Sequence, residues 1–138
     1  MICQICKNLF LLSQHAVAVT GTPEDLQTVQ DLADTLQAHA NECIGMAANM
    51  IGVNKRIIAA GLGGAPIVML NPVITAKTGE FAAEEGCLSL TGTRPVKRYK
   101  RIAVSWQDTA MQPHTRSFTG LLAQVIQHEC DHLEGIII

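Results

Sequence analysis

The chain has 138 residues, 48% hydrophobic but only 4% aromatic, which describes one aliphatic-cored globular domain (1–138) and excludes a disordered or fibrous polymer. A formal charge of −2 gives no basic footprint for nucleic acid. No apolar run approaches the roughly 20 residues needed to cross a bilayer. Five cysteines, an odd number, without a secretion signal point to a cytoplasmic protein rather than a disulfide scaffold.

In chain order, MICQICKNLFLLSQHAVAV reads as a first strand or extended arm, because Gln14 and His15 interrupt its apolar run. Cys3 and Cys6 form a C-x-x-C, but with no second pair and no βα pattern after it the spacing reads as incidental. The pattern then predicts a helix from about Pro23 to Asn41. Thr22 can cap it, Pro23 suits its first position, and Glu24 and Asp25 face the positive end of its dipole. Leu26, Val29, Leu32, Ala33, Leu36 and Ala40 make its apolar stripe. ECIGMAANMIG (42–52) has neither strand alternation nor good helix character. Short β-like runs follow at Arg56 to Ala60, Ile67 to Leu70, Val73 to Thr75 and Ile102 to Trp106. Gly61, Gly63, Gly64, Asn71-Pro72 and Gly79 punctuate them. A second helix starts near Gly120 and runs through LLAQVIQHECDHLEG, with apolar residues around much of its circumference. Helix, short strands, helix is an α+β pattern, with an N-terminal amphipathic helix and a central helix carrying H-E-x-x-H.

Residues four apart on a helix differ by about 40° in azimuth, so His128 and His132 leave the same face. Two imidazoles so placed can share one metal ion, with Glu129 beside it as general base. A buried helix carrying two histidines and three carboxylates within seven residues bears polar groups that metal binding would compensate. The third ligand must come from elsewhere. Cys87, after a glycine in EEGCLSLTG (84–92), is the best candidate and Cys43 a weaker one. Cys130 points about 160° away from the histidine pair. Three protein ligands leave the fourth position open, which is the catalytic arrangement.

Three ordered motifs together resemble the peptide deformylase family. Cys43-Ile44-Gly45-Met46-Ala47-Ala48-Asn49-Met50 is similar to the first family motif, G-φ-G-φ-A-A-x-Q. Glu85-Gly86-Cys87-Leu88-Ser89 matches E-G-C-φ-S, and Gln127 through Gly135 matches Q-H-E-x-D-H-L-x-G. The resemblance implies a small α+β fold with the motif helix among antiparallel sheets. It implies Cys87, His128 and His132 as ligands of one divalent ion, Fe2+ in the family and replaceable by Zn2+, Ni2+ or Co2+. It further implies removal of the formyl group from formyl-methionine at the N-termini of nascent bacterial peptides. Metal-activated water would be the nucleophile and Glu129 the general acid/base. The Leu88 N–H and the glutamine that closes the first motif would stabilise the oxyanion. Backbone around Ile44 and Gly45, with Arg94, would hold the peptide.

The first motif departs from the family. Met50 has no N–H where the family has glutamine, and losing such a donor costs on the order of 100- to 1000-fold in turnover. Cys43 replaces the motif's first glycine, narrowing the approach of a substrate backbone. Two further readings follow: a metal-binding relative that holds peptide N-termini with weak or no turnover, and an endopeptidase of the wider H-E-x-x-H type. The latter is disfavoured by Cys87. The chain stops after the third motif, where many family members continue into a helix that can contact the ribosome, so no ribosome contact is expected.

Overall fold

The Thr22 cap forms as its sequence requires. Its Oγ1 accepts from Asp25 N–H at 3.1 Å, and the Asp25 carboxylate accepts in return from the N–H groups of Thr20, Gly21 and Thr22. This computed structural model describes residues 1–61, 65–87 and 91–138. Its elements are α1 (Leu9–Leu12), α2 (Pro23–Ala38), β1 (Gly45–Ala47), a 3₁₀ turn (Ala48–Ile51), β2 (Ile57–Ala60), β3 (Ile67–Glu85), β4 (Arg94–Gln107), β5 (Pro113–Thr119) and α3 (Gly120–Leu133). The strands form one antiparallel sheet in the order β1-β2-β3-β4-β5. The fold is α+β, with α3 central, as expected.

α2 and α3 lie on opposite faces of the β1–β2 corner. Ile58 and Ala60 join Val125, Ile126 and Leu133 of α3 in one apolar cluster, whereas Ile57 and Ala59 join Leu32 and Leu36 of α2 in the other. A strand covered on both sides needs no polar alternate positions, which is why Ile57–Ala60 is buried throughout. The buried stripe of α2 differs from the expected one: Leu26 is exposed, and Thr28 and Thr35 are buried beside Leu32 and Leu36. Both threonines return their hydroxyls to carbonyls four residues back, of Glu24 and Asp31, so they enter the core satisfied.

The opening segment is not a strand. It is an arm containing the single turn α1, held to the body by Cys6 N–H on the Met50 carbonyl at 2.7 Å, Ala16 N–H on the Leu133 carbonyl at 2.8 Å and a bridge of Val17 with Lys55. α3 is fixed to the sheet by Gln127, whose Nε2 donates to the Tyr99 carbonyl at 2.8 Å and whose Oε1 accepts from the Tyr99 N–H at 2.9 Å. That clamp sets the rotation of α3 about its axis and hence the direction of the histidine face.

Candidate metal centre and substrate cavity

β3 ends at Glu85, and two residues later the chain delivers Cys87 against the histidine face of α3. The ligand atoms of Cys87, His128 and His132 all lie within 4.8 Å of one another. The two imidazole centroids are 4.6 Å apart. Ligand bonds of roughly 2.0–2.3 Å around one tetrahedral ion put its donors about 3.3–3.8 Å apart, which lies inside that limit, so the three residues fit a divalent cation. Glu129 is 4% exposed and its Oε1 has no hydrogen-bond partner. His132 Nδ1 lies 3.1 Å from that oxygen, close enough for attraction but without hydrogen-bond alignment.

Gly45 permits this closeness. A Cβ there would strike a Val125 methyl and stand 3.0 Å from Glu129 Oε2. The glycine lets β1 and α3 approach until backbone and carboxylate share one cavity.

Glu85 organises the other side of the site. Its Oε1 is 2.7 Å from His128 Nδ1, which directs the opposite ring nitrogen toward Cys87. Arg98 grips the same carboxylate through Nη2 at 2.7 Å and Nε at 3.0–3.1 Å, and its Nη1 reaches Asp131 at 2.7 Å. Gln124 adds a bond at 2.8 Å. Burial alone would raise the Glu85 carboxyl, but His128, Arg98 and Gln124 overcome it and hold its pKa at about 2. Burial likewise opposes charge on His128, yet its bonds to Cys87 and Glu85 raise it to about 9. His132 rises to about 10 against burial, through the Glu129 charge and Cys87. Both imidazoles must shed a proton to ligate a cation, so metal uptake releases protons.

The cavity beside these groups has a volume of about 210 Å³, and Cys43, Ile44, Gly45 and Met50 face Cys87, His128 and Glu129 across it. Met50 is 2% exposed and packs in the α2 cluster, so its thioether presents no donor to the cavity. Asn49 does not substitute for it, because its Nδ2 is committed to the His132 carbonyl at 2.9 Å. The Cys43 thiol on the cavity wall is pushed to about 11, first by burial and then by Glu129.

Of the residues expected at the site, Cys87, His128, His132, Glu129, Met50, Ile44 and Gly45 converge on this region. Arg94 is not among the cavity's described lining residues. It opens β4 opposite Glu85, and its Nη2 donates to the Thr91 carbonyl at 2.9 Å. Leu88 and Ser89, like Gly63 and Gly64, lie outside the described residues. Cys130 packs against the α3 cluster, with its thiol raised to about 12 chiefly by burial, away from the ligand group. Sequence reasoning missed Glu85 and Arg98. The available signal was a glutamate two residues before the ligand cysteine, but its arginine stands thirteen residues on, across a hairpin.

The same arrangement of elements occurs in solved relatives. The crystal structure of a peptide deformylase from Thermotoga maritima superposes with a TM-score of 0.89 at 29% identity, covering 99% of this chain and 95% of that one. An actinonin-bound class I type b peptide deformylase from Acinetobacter baumannii also gives 0.89, at 26% identity over 99% and 95% of the two chains. In sequence, a peptide deformylase of Clostridium beijerinckii is 45% identical over 138 residues, all of both chains. The family model described as polypeptide deformylase matches residues 2–138, which takes in all three motifs and every group gathered around the cavity. The chain belongs to the polypeptide deformylase family.

Proposed function

We infer that the protein is a hydrolase that removes the N-formyl group from formyl-methionyl peptides in a metal-dependent reaction. One observation carries the reading: a Cys/His/His ligand group stands beside a buried carboxylate on the cavity wall, Glu129, in a chain that matches the family over residues 2–138. The alternative of a peptide-binding relative without turnover gains no support, since a full-length relative at 45% identity is a peptide deformylase.

Cys87, His128 and His132 would hold one divalent ion, and Fe2+ is the ion we propose, with Zn2+, Ni2+ or Co2+ suited to the same thiolate and imidazole donors. Such an ion supplies Lewis acidity, lowering the pKa of a water from 15.7 to about 7. Glu129 accepts the proton of the attacking water and delivers it to the departing amine. Oxygen is added to the formyl carbon, the C–N bond breaks, and formate and a free peptide amine leave. The burial of Glu129 beside the ligand group, with its Oε1 3.1 Å from His132 Nδ1 and outside hydrogen-bond alignment, supports that role. The Leu88 N–H is the proposed oxyanion donor. The backbone at Ile44 and Gly45, where β1 begins at the edge of the sheet, pairs with the peptide as an added strand. Arg94, which opens β4 opposite Glu85, would meet the peptide beyond the cavity. The substrates are nascent peptides, which assigns the enzyme to the bacterial cytoplasm, and no helix of the described residues is long and apolar enough to cross a membrane.

The test is anaerobic loading with iron, nickel or cobalt, followed by assay of formate from formyl-Met-Ala-Ser. Formate release with the loaded protein is expected, and its absence with all three metals contradicts the reading. Cys87→Ala should abolish stoichiometric metal binding; a variant that keeps its metal overturns the ligand assignment.

A further inference from the structure

The two histidines of the ligand group are held by different means. Glu85, itself gripped by Arg98, fixes the His128 ring. His132 is fixed through its backbone. Its carbonyl is among the last four of α3, which have no partner within the helix. It accepts from the Gly135 N–H at 3.1 Å and from Asn49 Nδ2 at 2.9 Å.

Asn49 lies in the 3₁₀ turn that follows β1 and is 1% exposed. It occupies the unspecified position of the first motif, so the motif gave it no role. Its second amide atom, Oδ1, is buried without a hydrogen-bond partner. An acceptor left so is destabilising, and a buried water relieves it where one fits. Asn49, Cys87 and His132 line a small cavity of about 10 Å³, whose remaining walls are Leu12 and the isoleucines at 136–138. One buried water takes roughly 10–15 Å³. Cys87 is the one described residue that lines both this cavity and the substrate cavity, so the ligand group stands between the two.

We propose that Asn49 is a positioning residue of the metal centre, holding His132 through Nδ2 and Cys87 through one water bonded to Oδ1. The proposal rests on the ligand assignment made for the deformylase reading. The amide donor fixes the last turn of α3 and with it the direction of the His132 imidazole. The water's two protons serve two acceptors, Asn49 Oδ1 and the Cys87 sulfur, and the aliphatic side chains around it offer no rival. A hydrogen bond to a thiolate draws charge from the sulfur, which tunes it as a ligand from the side away from the substrate.

The experiment loads wild type, Asn49→Leu and Leu36→Ala with Co2+. Affinity is measured by competition with a chelator, and the thiolate-to-cobalt charge-transfer band is recorded on the same samples. Leucine keeps nearly the volume of asparagine while removing donor and acceptor. Leu36→Ala controls for lost packing in the α2 cluster, away from the ligands. Cobalt affinity should fall about 10- to 100-fold in Asn49→Leu and stay at the wild-type value in Leu36→Ala. The band of Asn49→Leu should move to longer wavelength, because a sulfur without its hydrogen bond gives up charge more readily. Asn49→Ala, too short to reach the carbonyl, carries both measurements if the leucine variant does not fold. Wild-type affinity without the Asn49 amide, or an equal fall in Leu36→Ala, overturns the positioning role while the ligand assignment stands. An unmoved band beside a lowered affinity overturns the water and its hold on Cys87. A wild-type protein with no thiolate-to-cobalt band overturns Cys87 as a ligand, and with it the metal assignment of the deformylase reading.

Discussion

The β3–α3 wall of the cavity and the wall formed by residues 43–50 treat polar groups in opposite ways. On the first, a chain of charged bonds runs from Asp131 through Arg98 and Glu85 to His128, each link 2.7–3.1 Å long. On the second, the side chains that meet the cavity are a thiol, an isoleucine and a thioether, and the one amide nearby is turned away to the His132 carbonyl. A metal ligand requires its orientation and tautomer to be fixed, and only a satisfied hydrogen-bond network does that inside a protein. A charge that exists only in the transition state can be shared among several donors, so losing one lowers the rate without dismantling the site. On the proposed mechanism, the chain keeps the first requirement and relaxes the second.

Restoring an amide to the apolar wall would break the contrast most sharply. Met50→Gln should raise kcat for formyl-Met-Ala-Ser by on the order of 100-fold, the lower end of what an oxyanion donor contributes. The same change places a polar group in the α2 core, costing about 1–3 kcal/mol unless the amide is bonded. A higher kcat with a lower Tm is therefore expected, and an unchanged kcat would mean that another group already serves the oxyanion.

On the wired wall, Glu85→Gln keeps the shape but removes the charge that holds His128 and Arg98. Metal affinity, measured by competition with a chelator, should fall about 10- to 100-fold. Affinity equal to wild type would reduce Glu85 to a packing residue.

The smallest effect lies outside the cavity and tests whether charged wiring elsewhere is structural only. The Lys55 ammonium, 2.6 Å away, and the capping N–H groups hold Asp25 at about 2 rather than its ordinary 3.8. Because the folded pKa is the lower one, this stabilisation is complete above pH 4 and is lost as pH falls toward 2. Lys55→Met should lower stability at pH 7 by on the order of 2 kcal/mol or less and flatten that acid limb, with kcat unaltered. A change in kcat would tie the α2 cap to the site.

Sequence made some of these features plain and hid others for physical reasons. α2 was legible because Thr22, Pro23 and Asp25 are a local capping signal, although the helix ends at Ala38 rather than Asn41. The convergence of Cys87 with His128 and His132 was legible because each lies in a recognisable short motif. β3 and β4 run much further than expected, through KTGEFAAEE and RPVKRYKR, because their outer halves bury little and are held by pairing with each other rather than by a hydrophobic face. β5 was missed because PHTRSFT has one buried apolar residue, Phe118, and opens with proline, which an edge strand tolerates. The Glu85–Arg98 pair escaped for a related reason: its register depends on a hairpin whose arms carry no apolar alternation.

The most direct test is Glu129→Gln, purified and metal-loaded beside the wild type, with metal content and formate release measured on the same samples. Full metal occupancy together with a fall in kcat of about 10²- to 10⁴-fold is the predicted result, because the ligands remain while the proton carrier is lost. Wild-type turnover by Glu129→Gln at full occupancy would contradict the assignment of Glu129 as the acid/base of this deformylase.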